Sequence, residues 1–241
     1  WKAARYTPDQ LHLLYEGLWK EKLVFTGGAI TIVAAIMNSI NGFSYVYSRK
    51  KVDFYHSLPV KRSRMFWNRV YTGLLYYLVP YMIMEFFAVC IGAAKGFFSL
   101  KLMELAARLL LVHLLLYFLF YFSIVLVFCV TGNFLMGVLC LAGMQLYGPA
   151  LGILMSFCAY GFFDTFSSNY PYGIFKALED YASPITLTAA FWQKYEAGQG
   201  AALAAVLFVL TLIFTAVSYF AYIHRPSEAA GKPMVYGKLA A

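Results

Sequence analysis

Stretches of ~20 or more residues without a formal charge alternate along this chain with short segments that hold most of its Lys, Arg, Asp and Glu. A helix of ~20 apolar residues satisfies its own backbone while crossing ~30 Å of hydrocarbon, so each run reads as a candidate membrane span. Residues 23–48 form the first run, closed by Arg49, Lys50 and Lys51. Residues 70–94 form the second, interrupted only by Glu85. The third, 109–163, has 55 residues, too many for one span and suited to two joined by a turn at Thr131, Gly132 and Asn133. Residues 197–224 complete the set, stopped at Arg225 and Pro226. The pattern predicts an all-α polytopic bundle, a single transmembrane domain over 1–241. Its spans lie at about 23–48, 70–94, 109–131, 134–163 and 197–224, with a loop at 49–69 and a larger one at 164–196.

Two segments beside the spans are amphipathic. Thr7, Pro8 and Gln10 make a helix start, after which Leu11, Leu14, Tyr15 and Leu18 share one face with Trp19 adjacent. That helix is expected to lie flat at the interface. The 164–196 loop carries Tyr170, Tyr172, Phe175, Tyr181, Phe191, Trp192 and Tyr195, a density that predicts short helices dipping into the headgroup layer.

Composition narrows the class. Apolar residues make up 62% of the chain and charged ones 12%, which excludes an ordinary soluble enzyme and a disordered chain. The formal net charge of +8 points, in so apolar a chain, to an anionic membrane leaflet rather than to nucleic acid. Cys90, Cys129, Cys140 and Cys158 all sit in apolar runs with no CxxC pair, and read as small buried hydrophobes rather than a metal site or disulfide framework. Loop 49–69 gathers Arg49, Lys50, Lys51, Lys61, Arg62, Arg64 and Arg69 against Asp53 alone, which places it on the cytoplasmic side. The turn at 131–133 and the tail from His224 then face the cytoplasm, and 164–196 faces outward.

That loop has two readings. A snorkelling basic anchor accounts for its charges. It does not account for Phe54, Tyr55, Leu58 and Val60, apolar groups outside the membrane that suit a surface docking on another protein. The run Asp53, Phe54, Tyr55, His56, Ser57, Leu58, Pro59, Val60, Lys61, Arg62, continued by Ser63 and Arg64, resembles the cytoplasmic loop of ABC-2-type permeases, the membrane subunits of bacterial ATP-driven exporters. Tail residues 225–231 resemble the same family, and the order of spans fits its six-span unit if the first span precedes Trp1. The resemblance implies a coupling helix at 53–64 seated in a separate ATP-binding cassette ATPase subunit, with a second permease chain completing the exporter. It implies that Phe54, Tyr55 and Leu58 act as apolar knobs, and that Lys61, Arg62 and Arg64 pair with acidic groups or lipid headgroups. It also implies a plasma-membrane location and an amphiphilic substrate. No cofactor is expected in this chain, ATP and Mg belonging to the partner, since Gly231-Lys232 and Gly237-Lys238 lack the spacing and hydroxyl of a phosphate loop.

Polar residues inside the spans offer other chemistry. Glu85 reads either as an ion-relay or substrate contact, or as a protonated or hydrogen-bonded carboxyl facing another helix, with Tyr81 or His113 as possible neighbours. His113 reads as a packing histidine, and Asn38 and Asn41 as helix glue or cavity lining. Gly148, Gly152 and Ser156 form a seam suited to a dimer face or to internal packing. The aromatics Tyr117, Phe118, Phe120, Tyr121 and Phe122 are expected to face lipid. No HExxH motif or paired intramembrane carboxylates support an enzyme. A proton-coupled secondary transporter using Glu85 and a non-transporting sensor or scaffold remain as alternatives.

Overall fold

The computed structural model describes residues 24–96, 99–162, 180–196 and 198–236, with Gly17 and Ala177 as single positions. The interfacial helix expected at 7–19 and the aromatics at 170–175 lie outside the described residues. Among those described, seven helices follow one another: α1 (Val24–Phe43), α2 (Arg49–Ser57), α3 (Arg62–Ala94), α4 (Leu100–Val130), α5 (Phe134–Phe162), α6 (Pro184–Glu196) and α7 (Ala201–His224). Short 3-10 turns occupy Ser44–Tyr47 and Ser227–Ala229. Helices α1, α3, α4, α5 and α7 are long and apolar enough to cross a membrane, so the chain is an all-α bundle of membrane type.

Helix ends depart from the hydropathy boundaries. Helix α3 starts at Arg62 and α4 at Leu100, well before the apolar runs at 70 and 109 begin. Loss of hydropathy marks where a helix leaves the membrane and not where its backbone stops coiling, and Arg, Lys, Leu and Met are good helix formers. The Ser99 hydroxyl caps α4 by accepting from the Leu102 amide at 3.2 Å.

Helix α4 is the centre of the bundle, packed between α1 and α7. Its Tyr117, Phe120, Tyr121 and Phe122 are buried and Phe118 is half-buried against them, which corrects the expectation of a lipid face. A helix apolar on all sides fits the middle of a bundle, and a tyrosine there has partners for its hydroxyl. Tyr117 stacks on Tyr77 at a ring separation of 4.4 Å and donates to the Gly73 carbonyl at 2.7 Å. Few residues of α3 and α5 are fully buried, which leaves a broad exposed face on each for lipid. Gly148 and Gly152 are buried within the chain, so internal packing takes up that seam. Of the cysteines, Cys129 is buried, whereas Cys90 and Cys158 are exposed on helix surfaces, against the expectation for all four.

Within the 164–196 loop, α6 packs against α5 and α7 and buries Phe191, with Trp192 against His113 at 5.9 Å. At the opposite end, α2, the turn at 131–133 and the tail come together. The Gly231 amide donates to Gly132 at 2.7 Å and the Val235 amide to Val130 at 2.9 Å, with a bridge between Thr131 and Met234. Gly132 leaves no space there, because an added Cβ would overlap the carbonyl oxygens of Ala229 and Lys232. Gly132→Ala is therefore expected to displace the tail and cost about 1–3 kcal/mol, read as a lower melting temperature in detergent.

Candidate functional site

The basic segment is a helix, a break and a second helix. Helix α2 ends at Ser57, whose hydroxyl donates to the Phe54 carbonyl at 2.8 Å. Leu58 is extended, as the residue before proline prefers, and α3 begins after an extended Lys61. Between them the chain presents Phe54 at 62%, Leu58 at 38% and Val60 at 39% exposure. Lys50, Lys51, Lys61 and Arg64 are exposed around these groups, as are Asp53, His56 and Pro59. Among the described residues no carboxylate lies in ion-pair range of those four cations. Burial lowers the proton affinity of His56, the Arg62 charge adds to the effect and Asp53 opposes it.

The other side of α2 is fixed in place. Val52 is buried, and the Tyr55 ring lies 4.7 Å from that of Tyr45. The Arg69 guanidinium packs against both rings, 4.8 Å from Tyr45 and 4.7 Å from Tyr55. Tyr55 thus faces the bundle, and the exposed apolar groups are Phe54, Leu58 and Val60. Arg62 is likewise turned inward, donating through Nη1 to the carbonyls of Ile223 at 3.0 Å and Arg225 at 2.8 Å. Since the side facing the spans is the occupied one, the exposed apolar groups point away from the bundle.

Arg225 ties this end together. It is 6% exposed. Its Nη1 donates to the carbonyls of Phe128 at 2.7 Å, Cys129 at 2.8 Å and Thr131 at 2.9 Å, and its Nη2 to Val46 at 3.1 Å. One cation thereby satisfies the open carbonyls at the end of α4 and joins them to the turn after α1. Arg49 Nε donates to Ala230 at 3.0 Å, tying α2 to the tail, and Tyr45 and Tyr222 share a hydroxyl bond of 2.5 Å. Arg225 thus joins the ends of α1, α4 and α7, and the Arg49 bond ties α2 to the same tail. Sequence reasoning read Arg225 as part of a helix stop and of the family-like tail, and not as a donor to main-chain carbonyls. The available signal was a lone cation at the end of a long charge-free run, where helix carbonyls need a donor.

The intramembrane candidates separate. Asn38 is glue, its amide donating to the Gly73 carbonyl at 3.1 Å and the Tyr117 hydroxyl at 3.2 Å. Asn41, one turn closer to α2, lines an open cleft between α1 and α3. His113 is a buried packing residue, bonded through Nδ1 to the Tyr81 hydroxyl at 2.8 Å. Glu85 is one turn beyond Tyr81 on α3, with Oε1 buried and no hydrogen-bond partner among the described residues. No family model, curated protein or solved structure matches the chain.

Proposed function

We propose that the chain is the permease subunit of an ATP-driven exporter of the ABC-2 type. One observation carries this reading: the apolar group of Phe54, Leu58 and Val60, ringed by cations, projects from a helix held against the turn after α1, the tail after α7 and Arg69 of α3. A basic anchor in headgroups needs no such clamp, whereas a surface that receives force from a partner does. The partner is an ATP-binding cassette subunit with an apolar groove and an acidic rim, binding ATP and Mg itself. A second permease chain completes the pathway, and an amphiphilic substrate moves outward across a bacterial plasma membrane. Residues 49–64 and the tail lie in the cytoplasm on this reading.

Purification of the full chain from its native membrane tests the proposal. The expected result is a co-purifying ATPase whose Mg-dependent hydrolysis responds to the chain. Absence of any nucleotide hydrolase from an intact complex counts against it.

The unpartnered Oε1 of Glu85 favours a second reading, proton-coupled transport without ATP. Glu85→Gln separates the two. The exporter reading expects ATP-dependent transport by the variant within about twofold of the unmodified chain, while the proton-coupled reading expects loss of uptake driven by a pH gradient in vesicles.

A further inference from the structure

A cleft of about 300 Å³ opens between α1 and α3 at the end of the bundle that carries α2. Its polar lining includes Asn41, Asn68, Arg69 and Thr72. Asn38 also borders it, but both its amide donors are engaged. Asn41 and Asn68 are exposed, and their side chains form no hydrogen bond with the described residues. Arg69 is held against two tyrosine rings, and among the described residues no carboxylate lies in ion-pair range and no acceptor takes its side-chain N–H groups, which leaves them open to a ligand. Uncommitted amides beside an oriented guanidinium make an acceptor site for a phosphate.

The surroundings give the rest of the ligand. Helical spacing of four puts Val33 and Met37 on the same stripe of α1 as Asn41, and both are exposed. On α3, Tyr76 and Val79 continue the stripe of Asn68 and Thr72, and both are exposed. The groove therefore runs from a cationic, amide-rich end into an apolar one, both on the lipid-exposed flank of the bundle. Helix pairs in membranes approach through small residues, and the apolar part of these stripes carries Val, Met and Tyr instead.

We propose that this cleft binds one anionic phospholipid of the adjacent leaflet, its phosphate on Arg69, Asn41 and Asn68 and its acyl chains along the two stripes. The proposal does not depend on the exporter reading, since it concerns α1 and α3 alone.

Titration of the full chain in detergent with phosphatidylglycerol, read by native mass spectrometry, tests it. Both lipids carry the phosphate, but the choline cation of phosphatidylcholine would lie against Arg69, so phosphatidylglycerol is expected to bind about tenfold tighter, and Asn41→Leu with Asn68→Leu, which loosen the hold on the phosphate beside Arg69, to remove that preference. These two residues are exposed, so the double variant folds. Arg69→Gln is expected to have the same effect, and its melting temperature reports separately on the loss of packing against Tyr45 and Tyr55. Inorganic phosphate in excess should leave the bound lipid in place. Equal binding of both lipids, an unchanged double variant, or displacement by inorganic phosphate overturns the proposal. So does disulfide trapping of Met37→Cys with Tyr76→Cys between two copies in the native membrane, which would make the groove a protein interface.

Discussion

Arg225→Ala lowers the stability of the detergent-solubilised chain by about 3–5 kcal/mol, a fall of about 10 °C in melting temperature. Its side chain is 6% exposed and gives hydrogen bonds to four backbone carbonyls that belong to α4, the turn after α4 and the turn after α1. Alanine leaves those acceptors without a donor inside a region that water does not reach. Other main-chain bonds hold the tail to the turn at 131–133, so the five spans still insert while their α2 end loosens. Arg225→Lys keeps the charge but lacks the forked geometry, and is expected to recover less than half of the loss. Melting of the alanine variant with the unmodified chain would mean that the cluster contributes no stability.

Phe54→Ala with Leu58→Ala has the opposite profile. Both side chains are exposed, so the melting temperature stays within about 2 °C. On the exporter reading, binding of the proposed ATPase subunit is expected to weaken at least tenfold, because two apolar groups at the middle of an interface each contribute about 1–2 kcal/mol. Transport driven by ATP falls with it. Tyr55→Ala behaves differently from both, since the ring supports Arg69 and Tyr45 rather than the exposed surface. It destabilises the position of α2 and lowers stability and coupling together.

The spans were legible because hydropathy is summed over ~20 residues, and single errors do not move such a sum. Helix ends were less legible. The onset of apolar residues at Val70 and Leu109 marks the membrane boundary, while α3 and α4 continue beyond it to Arg62 and Leu100. Burial within the bundle was not legible either. Tyr117 and Tyr121 look like any lipid-facing aromatics in one dimension, and only the packing of α1 and α7 around α4 places them inside. For the loop, composition identified the exposed apolar groups and their charged rim. The inward turn of Tyr55 depends on Tyr45 and Arg69, which lie in other elements. Arg225 was hidden for a related reason: its acceptors are main-chain carbonyls, and backbone groups carry no sequence signature.

The central claim is that α2 and the residues after it dock on a cytosolic ATPase. Replacement of Phe54 by a photo-crosslinking amino acid in the full chain, irradiated in native membranes, tests this most directly. The account predicts an adduct between position 54 and a nucleotide-binding subunit that disappears with Leu58→Ala. An adduct to lipid alone, with the chain folded and the subunit present, would contradict it.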